Sequence, residues 1–312
     1  MKKYILLSAL LGILVYFVNV EVLPARTMNG FDLDQPLVAE DQIQRGGPPR
    51  DGIPSIDEPK FIAAADADFL KADDRVLGLV IKNEARAYPL AILNWHEIVN
   101  DEFTGMAVMI SFCPLCGTGM AFEPEPPVRE FGVSGLLYNS DVLLYDRETG
   151  SLWSQIMAKA INGPLKGKSL KQLPLTHTSW QDWKTQFPDS RVLSTNTGYK
   201  RDYSKSPYEG YEKSDQIFFP VSSSVQRFHN KEWVLGVKIA GIYKAYPFSE
   251  LAKATRPVKD TISGQHIEVI FDRENNTARA QDEQDRDIST VMSYWFAWVA
   301  FHPDTEVFQA PR

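Results

Sequence analysis

Cysteine is scarce in this chain: two residues in 312, Cys113 and Cys116. A closed structural zinc site needs four ligands, and the sequence offers no second cysteine pair to complete one. No cysteine lies near the end of the apolar N-terminal stretch, which counts against a lipoprotein anchor. Any site built on these two thiols therefore needs histidine, aspartate or glutamate, or an open position.

Clusters of lysine and arginine are also missing, and the formal net charge is -7. Proteins that bind nucleic acid carry a basic patch or stripe. We therefore expect no nucleic-acid partner. The acidic balance otherwise indicates little more than solubility.

Long apolar runs are limited to one, which extends from Tyr4 to Val20 behind Lys2 and Lys3. This pattern is typical of an export signal, and its length is near the lower limit for a membrane span. Residues 1–25 are therefore predicted to be a signal peptide or membrane anchor, with the membrane as the partner of this segment. The remainder is expected to be exported, at the periplasmic or extracellular face, with anchoring to the inner membrane as the uncleaved alternative.

Residues 26–59 are rich in proline, glycine and charge and show no apolar period, so a flexible linker is predicted there. Beyond the linker, an internal repeat organises the chain. Residues 76–90 and 234–248 match at seven of fifteen positions with a constant offset. Farther on, the Trp180/Trp183 pair recurs as Trp295/Trp298 at helical spacing, which favours packing of a helix face in the core.

Each copy of the repeat predicts apolar strands, a short helix, a further strand and a tryptophan-bearing helix. We therefore predict an α+β fold of mainly antiparallel sheets with short helices, behind an N-terminal signal or anchor helix. Internal duplication gives two related units, a first unit at residues 60–215 with the cysteine knuckle and a second, shortened unit at residues 216–312.

The first copy contains a segment that the second copy lacks. Two alignments of the copies put this segment at different residues. One sets residues 145–148 opposite 271–274 and makes residues 113–144 the extra segment. The other sets Cys113 opposite Asp272. In both, the cysteines have no cysteine counterpart, which locates the special chemistry in the first copy.

Three interpretations of Cys113-Pro114-Leu115-Cys116-Gly117 stay open. A disulfide across so short a loop would stabilise the fold by only about 2 kcal/mol. A redox pair needs a lowered thiol pKa, commonly at a helix N-terminus, whereas the following Gly-Thr-Gly favours a turn and a strand. A metal knuckle matches the pattern of strand, Cys-Pro-x-Cys-Gly and strand, because the glycine permits a tight turn below the sulfurs.

His96 is the best third ligand, since the second copy has Ala254 or Thr255 at its position and also lacks the cysteines. His177 is the reserve ligand. A Cys2His set with an open position suits zinc, or copper in an exported protein, since soft thiolates favour Cu(I). Three carboxylates are candidate general bases for such a metal: Glu97, Glu123 and Asp146.

The stretch after the knuckle predicts a series of hairpins with turns at residues 139–141 and 148–150. Ser134 beside Gly135 lacks the spacing of a nucleophile elbow. Five residues of this stretch could line a pocket near the cysteines: Ser134, Asn139, Asp146, Trp153 and Gln155.

These motifs together resemble a known family. In order, they are His96-Glu97-Ile98-Val99-Asn100-Asp101, Cys113-Pro114-Leu115-Cys116-Gly117, residues 131–137, residues 145–147 and residues 151–155. They resemble the prokaryotic domain-of-unknown-function family numbered 3179, DUF3179. The resemblance implies an exported or membrane-tethered protein, with no activity, cofactor or substrate to carry over. Its matched positions in this chain are His96, Cys113, Cys116, Ser134, Asp146, Trp153 and Gln155.

The sequence thus favours a metal-binding protein with zinc or copper at Cys113, Cys116 and His96. One alternative is a thiol-disulfide oxidoreductase, with Cys113 as the attacking thiol and Cys116 as the resolving thiol. The other is a non-catalytic binding or scaffold module with a local disulfide. Whether the protein is an enzyme is left open by the residues.

Overall fold

The computed structural model describes residues 26–311 of the chain. Strands make up 42% of the chain and helices 12%, and the sheets are arranged as a five-bladed β-propeller. The predicted α+β class is therefore wrong. The helices were correctly placed but each is only four to seven residues long, so they cap strands and form no layer of their own. The predicted signal or anchor helix lies outside the described residues.

The first half of the fold extends through residue 193. In chain order its elements are β1 (Arg26–Met28), β2 (Phe31–Leu33), β3 (Ile43–Arg45), β4 (Phe61–Ala63), β5 (Arg75–Ile81), β6 (Glu84–Pro89), α1 (Leu90–His96), β7 (Ile98–Phe103), β8 (Met106–Cys113), β9 (Thr118–Glu123), β10 (Phe131–Tyr138), β11 (Asp141–Asp146), β12 (Leu152–Ser154), β13 (Lys159–Asn162), β14 (Lys171–Leu173), β15 (Thr176–Ser179), α2 (Trp180–Gln186) and β16 (Arg191–Leu193).

The second half begins after a long irregular segment that contains one 3-10 turn at Tyr211–Lys213. Its elements are β17 (Trp233–Ile239), β18 (Ile242–Pro247), α3 (Phe248–Leu251), β19 (Val258–Ile262), β20 (Gln265–Asp272), β21 (Thr277–Asp282), β22 (Asp287–Ile288), β23 (Thr290–Tyr294), α4 (Trp295–Phe301) and β24 (Glu306–Val307).

Five sheets form the blades, and β1 pairs with β2 in a separate hairpin. Blade 1 has the strand order β15-β5-β6-β16-β4, and blade 2 has β14-β9-β8-β7. Blade 3 has β13-β12-β11-β10-β3, blade 4 has β23-β17-β18-β24, and blade 5 has β19-β20-β21-β22. Pairing is antiparallel except where β16 and β24 join β6 and β18 in parallel. Blade 5 returns to blade 1, where the Arg75 guanidinium donates to the carbonyl of Asn275 at 2.5 Å.

Blades 1 and 4 are built around the same glycine and tryptophan contact. A Cβ on Gly78 would lie 1.9 Å from the Trp183 ring, and a Cβ on Gly236 would lie 2.1 Å from the Trp298 ring. Only glycine leaves room for the indole to lie flat on the strand at each place. Both tryptophans are about 1% exposed, so their predicted packing role is confirmed.

Blades 2 and 5 share a hairpin register. The turn after β8 is closed by the pair Cys113 and Thr118, and the turn after β20 is closed by Asp272 and Thr277. This shared register agrees with the alignment that sets Cys113 opposite Asp272. In that alignment the extra segment of the first copy is blade 3, with β10 to β13, and not residues 113–144.

Residues 26–59, predicted to be a flexible linker, contain β1, β2 and β3. The last of these adds to the edge of blade 3, where Ile43 pairs with Tyr138. Leu33 and Ile43 are each 1% exposed, so they belong to the core of that blade. The division into units at 60–215 and 216–312 stays a prediction. Within residues 26–311, no helix has the length and apolar character needed to cross a membrane.

Candidate metal centre

The two cysteines lie in the turn between β8 and β9, which we call the knuckle (residues 113–117). The Cys116 amide donates to the Cys113 carbonyl at 3.2 Å, and Gly117 completes the turn with a φ of 64°. Both cysteines are free and at most 1% exposed. A Cβ on Gly117 would lie 2.7 Å from the Trp233 ring, so the close contact with blade 4 requires glycine.

Blade 3 supplies a carboxylate to the knuckle. Its first hairpin turns at Asn139 and Ser140, which both have positive φ (53° and 64°), the conformation of a tight two-residue hairpin. The turn places Asp141, which is fully buried, against the two thiols. One ligand atom from each of Cys113, Cys116 and Asp141 lies within 4.8 Å of the others. The three side chains thus form a compact cluster that could hold a metal ion.

One carboxylate oxygen of the cluster lacks a hydrogen bond. Over the described part of the chain, Asp141 Oδ1 has no hydrogen-bond partner, while Oδ2 accepts from the Ile156 amide at 3.1 Å. The Cys113 and Cys116 thiols donate to the Ser140 carbonyl oxygen at 3.9 and 3.3 Å. An unpaired buried acceptor such as Asp141 Oδ1 is costly, and a bound cation would satisfy it.

Burial controls the electrostatics of the cluster. It raises the pKa of Asp141 to about 7, against the opposing effect of the Ile156 N–H. It also raises the pKa of Cys113, and raises that of Cys116 well above the ordinary thiol value. In the metal-free cluster, burial therefore favours the protonated form of all three groups. A cation reverses this preference, because metal binding releases protons from thiol and carboxyl ligands.

The same pKa directions count against the redox interpretation. A reactive cysteine needs a lowered pKa and partial exposure, usually at a helix N-terminus or beside a cation. Cys113 instead ends a strand, and burial raises the pKa of both thiols. The knuckle does not provide the environment of an attacking thiolate.

His96, the predicted third ligand, is engaged elsewhere. Its Nδ1 lies 2.8 Å from the Pro54 carbonyl oxygen and its Nε2 lies 2.7 Å from the Tyr203 hydroxyl. Burial lowers the pKa of His96, which keeps the ring neutral. The structure therefore does not bring His96 to the cysteines, and Asp141 occupies the third place in the cluster. His177, the reserve, lies outside the cluster but lines the adjacent cavity.

Two of the five predicted pocket residues lie beside the cluster. Gln155 donates to Ser111 Oγ at 2.9 Å and to the Thr118 carbonyl at 3.2 Å, so it joins the two strands that carry the knuckle. The Asn139 amide group donates to the Ala300 carbonyl at 3.1 Å and fixes the hairpin turn of blade 3 to blade 4.

The other three brace blade 3 internally. Ser134 Oγ donates to the carbonyl of Leu143, and the Trp153 indole donates to Asp146 Oδ2 at 2.8 Å. These contacts join neighbouring strands or the following turn. Ser134, Asp146 and Trp153 therefore hold the blade that positions Asp141.

Of the predicted general bases, Glu97 and Glu123 differ in their position relative to the cluster. Glu97 follows α1 with a φ of 57° and is 6% exposed, and it accepts a hydrogen bond from the Tyr208 hydroxyl at 3.3 Å. Burial raises the pKa of Glu97 to about 7, and the charge of Asp141 adds to that shift. Glu123 pairs at the surface with Lys171 at 2.6 Å. Glu97 is thus the predicted base that lies near the cluster.

A cavity of about 700 Å³ opens beside the knuckle, and Pro114 is part of its wall. Its described lining includes none of the five predicted pocket residues. Part of the wall comes from the segment 195–214, which follows blade 1 and carries Tyr208 and Tyr211.

This segment is attached to α1 by several side chains. The Trp95 indole donates to the Lys205 carbonyl at 3.0 Å, and His96 contacts Tyr203 as described above. Next to these, the Asn94 amide lies 3.5 Å from Ser206 Oγ. Helix α1 thus holds one wall of the cavity in place.

Comparison with known proteins gives one match, to a family model described as a protein of unknown function, DUF3179, over residues 50–292. The chain belongs to the DUF3179 family. The predicted resemblance is thereby confirmed, and the matched region includes the knuckle, Asp141 and the cavity lining except Tyr294. No curated protein and no solved structure matches the chain.

Asp141 and the tyrosines of the segment 195–214 are the site residues that sequence reasoning missed. The residues Asn139-Ser140-Asp141 were correctly predicted to form a turn, since asparagine, serine and aspartate are common in turns. In the structure, Asn139 and Ser140 have the positive φ of a tight hairpin turn. Turn-forming residues predict the turn itself. They do not predict which strand ends the turn will lie against. The DUF3179 description assigns no chemistry, so the function rests on the geometry of this cluster.

Proposed function

We propose that this DUF3179 protein binds a zinc ion through Cys113, Cys116 and Asp141. The main support for this proposal is the buried cluster of two thiols and a carboxyl group whose ligand atoms lie within 4.8 Å of one another. Thiolate and carboxylate are both accepted zinc ligands, and three negative donors suit a divalent cation. Cu(I) prefers soft sulfur and nitrogen donors, so the carboxylate oxygen favours zinc over copper.

Three protein ligands leave one zinc position for an outside molecule. Closed structural sites use four ligands, whereas sites with three protein ligands keep the fourth for water or substrate. Pro114 of the knuckle borders the cavity, which supports access from that side. Zinc in such a position polarises a bound oxygen or lowers the pKa of a bound water. The buried carboxyl of Glu97 is the nearest candidate for handling a proton there.

An exported location, with attachment to the membrane through residues 1–25, belongs to the same proposal. It is supported by the apolar run that follows Lys2 and Lys3. In an oxidising compartment exposed thiols form disulfides, and metal binding at a buried site protects them. The burial of both cysteines fits that need.

Metal analysis of the full chain, purified from the exported compartment, tests the proposal. We expect about one zinc per chain in the wild type by elemental mass spectrometry. C116S should lose the zinc. D141N should weaken zinc affinity by more than the roughly 10- to 100-fold that is typical of removing an outer-shell partner. H96A should keep its zinc, which separates this ligand set from the one predicted from sequence.

D146N is the matched control, because Asp146 is a second buried aspartate on β11 that contacts Trp153 instead of the thiols. Its zinc content should equal that of the wild type when circular dichroism shows a folded chain. Stoichiometric copper without zinc would contradict the choice of metal. A folded wild type without metal, with two titratable thiols, would contradict the proposal altogether.

A further inference from the structure

Blade 4 carries a buried lysine close to the knuckle. Lys231 precedes β17 and is 5% exposed. Its Nζ lies 3.9 Å from the ring centroid of Tyr211, 5.0 Å from that of Phe296 and 5.9 Å from that of Tyr294. One of its N–H groups donates to the Gln216 carbonyl at 2.7 Å. Three aromatic rings and a carbonyl group therefore surround the ammonium group.

No carboxylate pairs directly with this ammonium group. Among residues 26–311, Lys231 forms no ion pair, and Asp215, whose charge acts on it, has a side chain that is 67% exposed and lies 3.4 Å from His229. Burial lowers the pKa of Lys231 to about 8, so the charged form persists at neutral pH. Buried charges are normally paired with an opposite charge. Lys231 therefore indicates a negative partner that the metal-free protein does not supply.

The repeat shows that the backbone does not require a lysine at this position. In blade 4, the residues on either side of Lys231 accept the first two amides of α4 through their carbonyls. In blade 1, the residues on either side of Asp73 accept the first two amides of α2 in the same way. Asp73 thus corresponds to Lys231, yet it is exposed and has the opposite charge. The buried lysine therefore serves something other than the capping of the helix.

Two of the rings around Lys231 pack at the knuckle. A Cβ on Gly117 would lie 3.0 Å from Tyr294 Cζ, and the Tyr294 amide donates to the Cys116 carbonyl at 2.9 Å. Tyr211 belongs to the same buried apolar cluster as both cysteines. The charge of a Cys116 thiolate acts on Lys231, where it opposes the effect of burial on the pKa. Lys231 and the knuckle therefore share the same aromatic neighbours.

The proposed zinc site has an excess of negative charge. Two thiolates and one carboxylate around a divalent ion leave one negative charge uncompensated, and all three ligands are at most 1% exposed. A buried excess charge is unfavourable without an opposite charge nearby. Charges interact more strongly in the protein interior than in water, so contact is not required. Lys231 supplies one positive charge, which equals the excess.

We infer that Lys231 is a positioning residue of the zinc site, where its ammonium charge compensates the excess negative charge of the ligands and stabilises the metal-bound form. The inference rests on the proposed zinc binding and deepens it. Lys231 acts through the thiolates and does not touch the ion.

The zinc affinity of the full chain, measured by competition with a chromophoric chelator, tests this inference. We expect K231M to weaken zinc binding by at least about tenfold, because it removes the charge and retains an apolar stem. K231R retains the charge and should stay within about threefold of the wild type. If K231M does not fold, K231Q takes its place, since it removes the charge and keeps a hydrogen-bond donor.

K238M is the matched control. Lys238 lies on β17 of the same blade, is exposed, and has its Nζ 5.3 Å from the ring centroid of Tyr243. It is thus a second lysine over an aromatic ring, in contact with solvent. K238M should leave the zinc affinity unchanged.

Cobalt(II) bound in place of zinc gives a readout that a purely structural role would not change. A positive charge near the thiolates stabilises their electrons, which raises the energy of the thiolate-to-cobalt charge-transfer absorption. This absorption should move to longer wavelength in K231M. It should stay in place in K231R and K238M.

Failure of this inference differs from failure of the zinc proposal. A wild type that binds zinc, with K231M binding it equally tightly, would overturn the inference alone. Equal losses in K231M and K231R, or a cobalt absorption that K231M does not shift, would also overturn it, because Lys231 would then only tie Gln216 to blade 4. A wild type that binds no zinc would overturn both.

Discussion

The turn between β8 and β9 and the turn between β20 and β21 have the same length and the same closing register, yet their side chains differ in what they bind. In the second copy, Asp272 accepts hydrogen bonds from the amides of Glu274 and Asn275 and from the Asn275 side chain at 2.7 Å. That turn satisfies its own polar groups. In the first copy the equivalent positions are Cys113 and Cys116, whose sulfurs face the blade 3 turn.

The two turns differ more in the blades that pack against them than in their own backbone. Asn275 Oδ1 accepts from Ser179 Oγ at 2.6 Å, so the second-copy turn is fastened to blade 1. The first-copy turn contacts blade 4 through the Tyr294 amide, which donates to the Cys116 carbonyl at 2.9 Å, and it contacts blade 3 through Asp141. Blade 3 has no counterpart in the second copy, and it supplies the third member of the cluster. The additional blade thus turns one of two similar hairpins into a candidate metal site.

The largest expected effect concerns pH. In metal-free protein, the pKa of Asp141 is about 7 in the folded state against 3.8 ordinarily. Between these values the unfolded chain has released the proton and the folded chain retains it, so stability falls as pH rises through this window. We expect wild-type protein with chelator to lose on the order of 4 kcal/mol relative to D141N from about pH 4 to about pH 7.

Urea unfolding at several pH values measures this effect. Adding zinc should reverse the slope for the wild type, since the ion binds the deprotonated ligands. D141N should not show the reversal. Parallel curves for the two metal-free proteins would contradict the assigned burial of the carboxyl group.

A smaller effect compares the glycine of the knuckle with its counterpart. Gly117 and Asn276 both have positive φ, at 64° and 46°. Alanine at 117 would be strained and its Cβ would lie 2.7 Å from Trp233, so we expect G117A to destabilise the fold by about 2 kcal/mol. N276A should cost below about 1 kcal/mol. Thermal unfolding of the two variants measures the difference, and equal losses would mean that the blade 4 contact does not constrain the knuckle.

The smallest expected effect comes from a transplant. D272C/N275C gives the second-copy turn the cysteine spacing of the first. We expect no change in zinc content and two additional titratable thiols, because among the described sheets the one that carries Asp141 has no counterpart in the second copy. A second equivalent of tightly held zinc would show that cysteine spacing alone suffices.

The repeat was predictable because strand and helix periods recur at a fixed offset, and the tryptophan pairs fell into the core as expected. The fold class was not, since seven-residue helices such as α2 give a helical pattern without forming a layer. Closure of blades into a ring depends on contacts between distant strands, such as Arg75 with Asn275, which no local pattern encodes.

The site was half predictable for a similar reason. The cysteines were evident from their spacing, whereas Asp141 is separated from Cys116 by a whole strand and a turn. The second copy does lack a histidine at the position equivalent to His96, but the reason is not the lack of a metal site. Its partners, Pro54 and Tyr203, both lie outside the repeated elements, so the second copy has nothing for such a histidine to bind.

His96 nevertheless affects the centre by another route. One imidazole joins three separate stretches of chain: the residues before blade 1, helix α1, and the segment 195–214 that walls the cavity. In the proposed zinc site, the thiols and Asp141 would determine how tightly the ion is held at equilibrium. Because the His96 contacts hold a wall of the cavity, we expect them to affect how quickly a bound ion exchanges with solvent more than how tightly it is held.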